Sequence, residues 1–417
     1  MCIDHAYLLL PGHRIVEGAV EFSDGIITAV RECAPGESAV APAKLVMPGL
    51  VNCHGHTAMT LVRGLGGGLP LQRWLEEAIF PVEARMTADD IRAGVAWGAM
   101  EMLAGGTTSV ADMYDFPAAG GEMFARFGMR ARVCRVGLNF IPGRLDECLE
   151  FTRDWNADAR HGDADVLADG CIHSEYLTDE PFCRAFADGL RELNRPLHVH
   201  VSETKKEHDD CLARHGKTPI AYLADTGIFD RGGYAAHCVW CTDDDFRIMA
   251  ERGVTLVHNP ASNLKLGSGF ARITRAAELG VNVALGTDGC ASNDNLDMFE
   301  EMHLAALLHK GLALDPTVTP AWQVIDMATV NGARALGLNA GEIAVGKAAD
   351  FAVIDLNRPH LQPHHGLAEL IVYSMHASDV VETWIAGEKV YDRGTFAAPE
   401  AADARARLDA AVKRISR

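Results

Sequence analysis

From residue 45 onward the chain repeats one pattern eight times, and that repetition limits the fold more than any other feature. Short apolar runs alternate with longer stretches of helical character. The runs are KLVMPGLVNCH, TTSVADM, RARVCRVGL, DVLADGCIHS, RPLHVHVSE, GGYAAHCV, GVTLVHN and GVNVALGTDG. Between them lie segments such as ADDIRAGVAWGAMEMLAGG and DDDFRIMAERG. A strand followed by a helix, repeated, builds a parallel sheet, because parallel neighbours need a crossover. Eight such units predict an α/β fold, a (β/α)8 TIM-like barrel closed on itself. The 417 residues suffice for that barrel and one smaller unit.

The ends read differently. VEGAVEFSDGIITAV is two strand-like runs joined by Asp24-Gly25, a strong hairpin signal. After the eighth run come helical stretches at 296–311 and 320–337, and then ADFAVIDL and DVVETWIAGEKVYDRG return to β character. The expected organisation has residues 1–44 and 345–395 joined in a small β-sandwich domain. Residues 45–344 form the barrel between them, and 396–417 a C-terminal helix.

The formal net charge of −19 argues against nucleic-acid phosphates and anionic membrane surfaces as partners. The N-terminal MCIDHAYLLLPGHR lacks a basic start followed by a long apolar core, and no apolar run approaches the roughly 18 residues of a membrane helix. Eleven scattered cysteines, an odd number, fit reduced thiols in a cytoplasm better than a disulfide framework. A small-molecule substrate is the expected partner, and a homo-oligomer the expected assembly.

Polar residues collect where the apolar runs end, which in such a barrel is the catalytic rim. The first run ends on His54 and His56, whose i, i+2 spacing puts both imidazoles on one face of a strand. The fifth ends on His198 and His200, followed by Glu203; the sixth ends on His237 and the eighth on Asp288. Imidazole nitrogens and a carboxylate suit Zn²⁺ or Fe²⁺, and a catalytic site keeps one position open for water. A divalent ion there lowers the pKa of water from about 15.7 toward 7. Glu203, three residues beyond His200, is placed to take and return the proton. Singly, each group has a plainer reading. His237 could be a satisfied core histidine, and Asp288 a turn or cap residue. His198 is expected to be structural, turned to the opposite face or toward a backbone carbonyl. Jointly the plain readings fail, since separate strand ends each supply a suitable group.

MPGLVNCHGHTAMTLVRG, HVHVSETKKE, AAHC, VHNPASNLKLGSG, LGTDGCASNDNLDMFEEM and GEIAVGKAADFAVID occur in that order along nearly the whole chain. With these motifs the sequence resembles the amidohydrolase superfamily, and within it the 5-methylthioadenosine/S-adenosylhomocysteine deaminases. The resemblance implies metal ligands His54, His56, His200 and Asp288, with one Zn²⁺ per subunit and Fe²⁺ as the alternative. It gives Glu203 the proton-shuttle role and His237 the orientation of the attacking water. Relatives with two metals carry a bridging lysine at the end of the fourth strand, where this chain has LADGCIHSEY and no lysine. For the substrate it implies Trp74 and Glu83 around the nucleoside, Glu83 accepting from ribose hydroxyls, and His173 on the base or sugar. Arg135 and Arg144 would hold a homocysteine carboxylate. Glu175 stands where the family usually has proline, which would put a negative charge near the pocket.

The implied reaction is hydrolytic deamination of adenosine, 5′-deoxyadenosine, methylthioadenosine or S-adenosylhomocysteine. The same metal and glutamate also serve deaminases of guanine, cytosine or pterins, and triazine hydrolases. A non-catalytic assembly protein on this barrel would be expected to have lost ligands, and none is missing. Two weaker motifs carry no function here. Cys238-x-x-Cys241 and His173-x-Glu175 partly match another zinc deaminase pattern but lack its proline. GLGGG at 64–68 lacks the P-loop lysine and reads as a flexible loop.

Overall fold

A computed structural model describes residues 1–33 and 42–416. Residues 34–41 and 417 belong to the expected 1–44 and 396–417 segments and lie outside the described residues.

Every one of the eight runs contains a strand. They are Leu50–His56, Thr107–Met113, Arg130–Cys134, Val166–Ala168 with Gly170–Cys171, Leu197–Val201, Gly233–His237, Val254–His258, and Val283–Leu285 with Asp288–Gly289. All neighbours in this set pair in parallel, as two five-stranded sheets. The fourth and eighth runs are each broken, and each gives one piece to either sheet. Only Asp169 separates the pieces of the fourth run, and only Gly286 and Thr287 those of the eighth. Four strands of the set, Thr107–Met113, Leu197–Val201, Gly233–His237 and Val254–His258, are buried at every residue. That is the pattern of parallel strands covered on both faces, and it explains why they read as apolar runs without alternation.

The eighth run lies beside the first through a side-chain clamp. Asn52 donates from Nδ2 to Thr287 Oγ1 at 2.7 Å and accepts from the Thr287 amide at 3.0 Å. Gly286 is pressed so close to His54 that a Cβ there would lie 2.8 Å from the His54 nitrogen, so glycine is required.

The terminal segments share one eight-stranded sheet. Its order is Thr395–Phe396, Glu388–Asp392, Val380–Ile385, Phe351–Asp355, Lys44–Pro48, Cys2–Leu10, Arg14–Ser23 and Ile26–Glu32. Asp24 and Gly25 turn the expected hairpin with φ of +52° and +78°, the positive values a two-residue type I′ turn demands. The sheet curls enough that the Phe22 ring stands 5.5 Å from those of both Phe351 and Trp384, on strands that are not its neighbours. The expected boundary at 44/45 needs correction. Lys44–Pro48 pairs with Cys2–Leu10 and Phe351–Asp355, and the chain enters the parallel array only after Gly49. Both halves of that first run are equally apolar, so hydropathy could not divide them.

The stretch 296–311 forms helix Met298–Ala313, and 320–337 forms two helices, Ala321–Ala328 and Val330–Ala335. Near the C-terminus helix Ala404–Ile415 packs against Ala88–Ala104, and Arg85 donates twice to the Ile415 carbonyl. All eleven cysteines are free and nine are buried. No helix among the described residues is long and apolar enough to cross a membrane.

One ion pair ties the terminal sheet to the parallel array. The buried Asp350 carboxylate accepts from Arg130 Nε at 2.6 Å and Nη2 at 3.1 Å, and from the Ala386 amide at 2.8 Å. Asp350→Ala leaves a mostly buried guanidinium with only Asp165 to answer it. Breaking such a pair costs on the order of 3 kcal/mol of stability, read as a lower denaturant midpoint. A loss below about 1 kcal/mol would show that Asp165 alone satisfies Arg130.

Candidate active site

The C-terminal ends of the parallel strands bring six of the expected residues together. Ligand atoms of His54, His56 and His200 lie within 4.8 Å of one another, as do those of His54, His237 and Asp288. Strand pairing causes this: Asp288 sits opposite Gly55, and His200 and Val201 opposite Ala236 and His237. His237 and Asp288 adopt left-handed backbone conformations, with φ of +73° and +60°. Non-glycine residues take that conformation at a cost that the surrounding structure must override, and such sites cluster at functional centres.

The ring tautomers are fixed from outside. His56 donates from Nδ1 to the Met113 carbonyl, and His200 from Nδ1 to the His173 carbonyl at 2.9 Å. Each therefore turns Nε2 inward, and those two nitrogens stand 3.2 Å apart. Asp288 Oδ1 is 3.3 Å from His56 Nε2 and 3.4 Å from His54 Nε2. His54 Nε2 is buried with no hydrogen-bond partner. Ligand nitrogens at about 2.0–2.1 Å from one tetrahedral zinc stand about 3.3 Å apart, which matches the His56–His200 separation. The fixed lone pairs, the unpartnered nitrogen and the carboxylate fit a single divalent cation.

The electrostatics call for positive charge in the same place. Burial alone would lower the pKa of His56, but the hydrogen bond and charge of Asp288 outweigh it and raise it to about 9. Burial lowers His54 to about 4 and His200 well below the usual imidazole range. Burial would raise Asp288, yet the adjacent imidazoles of His54 and His56 hold it well below the usual carboxylate range. A divalent ion would satisfy the inward lone pairs and the carboxylate together.

Around this cluster stand residues that the sequence reading did not assign. Ser262 donates to Asp288 Oδ2 at 2.6 Å, and the Gly289 amide to Oδ1 at 2.8 Å. Asn263 Oδ1 accepts from His237 Nδ1 at 2.9 Å, which leaves His237 Nε2 facing inward, 4.0 Å from Glu203 Oε2. Ser268 donates to Glu203 Oε1 at 3.3 Å. The Glu207 carboxylate accepts from the amides of Ser202 and Glu203, both at 2.7 Å, and so fixes the start of the loop that carries Glu203. Burial raises the pKa of Glu203. Ser262, Asn263 and Ser268 all lie within VHNPASNLKLGSG, so the motif was visible although their partners were not.

Two expectations need correction. His198 does not face away. The i, i+2 rule that points His200 inward points His198 inward too, one layer deeper, where its Nε2 lies 2.8 Å from His54 Nδ1. Glu175 does not approach the cavity. It is buried against Arg214 on helix Lys205–His215, with His215 3.9 Å away.

A cavity of about 440 Å³ opens over the cluster. Trp74, Glu83, His173, Glu203, His237 and Asp288 all line it. Trp74 is held by a bond from Nε1 to the Leu65 carbonyl at 3.2 Å. The hydroxyl of Tyr114, another group the sequence reading missed, donates to Glu83 Oε1 at 2.6 Å. Burial raises the pKa of Glu83, and burial with the neighbouring imidazoles lowers that of His173 to about 4. Arg135 and Arg144 do not reach the lining, whereas Asp115 does. Cys238 and Cys241 are buried among core side chains and belong to neither group of converging ligand atoms.

Comparison with known proteins agrees with this geometry. The model of the amidohydrolase family matches residues 45–390. The chain is 42% identical over 383 residues to a 5-methylthioadenosine/S-adenosylhomocysteine deaminase of Acetivibrio thermocellus, covering 91% of this chain and 88% of that protein. It is 42% identical over 398 residues to a 5′-deoxyadenosine deaminase of Methanosarcina mazei, covering 93% and 91%. Among solved structures, an adenosine deaminase from Xanthomonas campestris with bound zinc superposes with a TM-score of 0.93 at 34% identity, over 100% of this chain and 98% of that one.

Proposed function

The chain belongs to the amidohydrolase family, and from that premise we propose that it is a metal-dependent hydrolytic deaminase of adenine nucleosides. The observation that carries this is the inward convergence of His54, His56, His200 and Asp288 at the base of a largely apolar cavity. Its volume lies within the roughly 300–1,000 Å³ of small-molecule sites. The two parallel sheets are read as one closed (β/α)8 barrel, because the fourth and eighth runs pass from one sheet to the other and the Asn52 clamp spans the eighth and first. The curled terminal sheet is read as the small sandwich beside it.

His54, His56, His200 and Asp288 would hold one zinc ion, or Fe²⁺ in its place. When bound, the ion supplies Lewis acidity and makes water a competent nucleophile near neutral pH. Glu203 takes the proton of the water that attacks C6 of the purine, passes it to N1, and later assists ammonia in leaving. Its burial-raised pKa suits a group that holds a proton for part of the cycle. His237, oriented by Asn263, directs the water toward C6. Trp74 lines the wall around the nucleoside, Glu83 accepts from ribose hydroxyls, and His173 contacts the base or sugar. The products are the corresponding inosine compound and ammonia.

The test is an ultraviolet assay of the zinc-loaded protein with adenosine, 5′-deoxyadenosine, methylthioadenosine and S-adenosylhomocysteine, beside guanine and cytosine. The expected result is conversion of at least one adenine nucleoside to its inosine product. Turnover of a free base with none of the nucleosides would replace this reading.

A further inference from the structure

We propose that the N-terminal ends of the parallel strands hold a second binding site, for the phosphate group of a small anion, built on Arg132, Arg195, Arg231 and Arg334. A cavity of about 520 Å³ opens there. Gly233 and Val254, the first residues of their strands, line it, and so does Asn282, just ahead of Val283–Leu285. His237, at the other end of the Gly233 strand, belongs to the metal cluster. At about 3.3 Å per residue that strand sets the two sites about 13 Å apart. A molecule in the second cavity is therefore not the nucleoside that reacts.

Among the described residues the lining carries four guanidiniums and one carboxylate. That carboxylate, Asp169, is already engaged: it accepts from Arg195 and, at 2.7 Å, from the Tyr234 hydroxyl. Arg195 keeps a buried Nε with no partner. The buried Arg132 donates from Nε to the Leu336 carbonyl at 2.9 Å, and from Nη1 to the Ala131 carbonyl and to Asp165. Its Nη2 has no protein acceptor among the described residues. Arg334 donates to Asn282 Oδ1 at 3.2 Å and pairs with no carboxylate among the described residues. Arg231 makes no side-chain hydrogen bond or ion pair among them, and its neighbour Asp230 is held by Arg191 and Arg252. In a chain with a formal charge of −19, unanswered cations gathered in one concavity call for an anion. Guanidinium forks match phosphate oxygens in geometry as well as charge, and a cleft lined by one sign of charge concentrates the opposite ion.

Isothermal titration of the zinc-loaded protein with inorganic phosphate, pyrophosphate and uridine diphosphate, at constant ionic strength, tests this. Uridine keeps the probe free of a purine that could enter the catalytic cavity. The wild type is expected to bind at least one of the three saturably, at one equivalent. The double variant Arg231→Ala/Arg334→Ala removes two charged donors and should weaken that binding at least about tenfold. Both side chains are exposed, so the variant should fold, and without added anion its kcat/KM for deamination should match the wild type. His56→Ala should bind the anion as the wild type does. Binding that weakens in His56→Ala and stays unmoved in the arginine variant would place the anion on the metal and overturn the proposal. Absence of saturable binding to the wild type overturns it as well. Tighter binding of uridine diphosphate than of pyrophosphate would identify a nucleotide as the ligand, and the reverse an inorganic anion; both support the site. Binding is read without turnover, so failure of the deaminase reading would leave this result standing.

Discussion

Glu203→Gln is expected to lower kcat by at least about 10²–10⁴-fold while the protein keeps its zinc. The substitution preserves shape and the Ser268 contact but removes a carboxylate that faces both His237 Nε2 and the cavity. The amides of Ser202 and Glu203 stay tied to Glu207, so the loop should not move. His54, His56, His200 and Asp288 are untouched, and metal analysis should still find one equivalent. Near-normal turnover in this variant would remove Glu203 from the mechanism. Loss of metal would show instead that Glu203 helps to hold the ion.

The second large effect is on the metal itself. In His56→Ala the Nε2 that stands 3.2 Å from His200 Nε2 and 3.3 Å from Asp288 disappears, together with the anchor to Met113. Disturbing a group that merely supports a ligand weakens metal affinity about 10–100-fold, so deleting a ligand should weaken it by at least about 100-fold. Zinc should then be lost on dialysis against a weak chelator, and deamination with it. Because an ion that binds only the folded protein stabilises it, chelation should lower the Tm of the wild type and leave that of the variant unmoved. One equivalent of zinc retained in His56→Ala would mean that the ligand set is wrong.

What the sequence could show follows from the range of each signal. The eight strands were legible because burial on both faces makes them short, mostly apolar runs set between helical stretches. The gathering of His54, His56, His200 and Asp288 was legible because strand ends meet on one rim. The split at Gly49 was not, since MPG continues an apolar run without any change of character. His198 was misjudged although the same two-residue period that points His200 inward applies to it. The partners Ser262 and Asn263, on the short helix Pro260–Lys265 after the seventh strand, and Ser268 just beyond it meet groups at least 26 positions away in sequence. No local pattern specifies such a pairing. Asp115 and Glu147 beside Arg135 and Arg144 are the same kind of blind spot: the arginines were visible, their ion pairs were not.

The carbonyls of Met113 and His173 that anchor His56 and His200 belong to neighbouring stretches of the scaffold, not to the histidines' own strands. The coordination sphere is thus moulded by main chain before any ion enters. An empty protein and a loaded one should share a single architecture, and the identity of the resident metal becomes a question of which element the cell supplies.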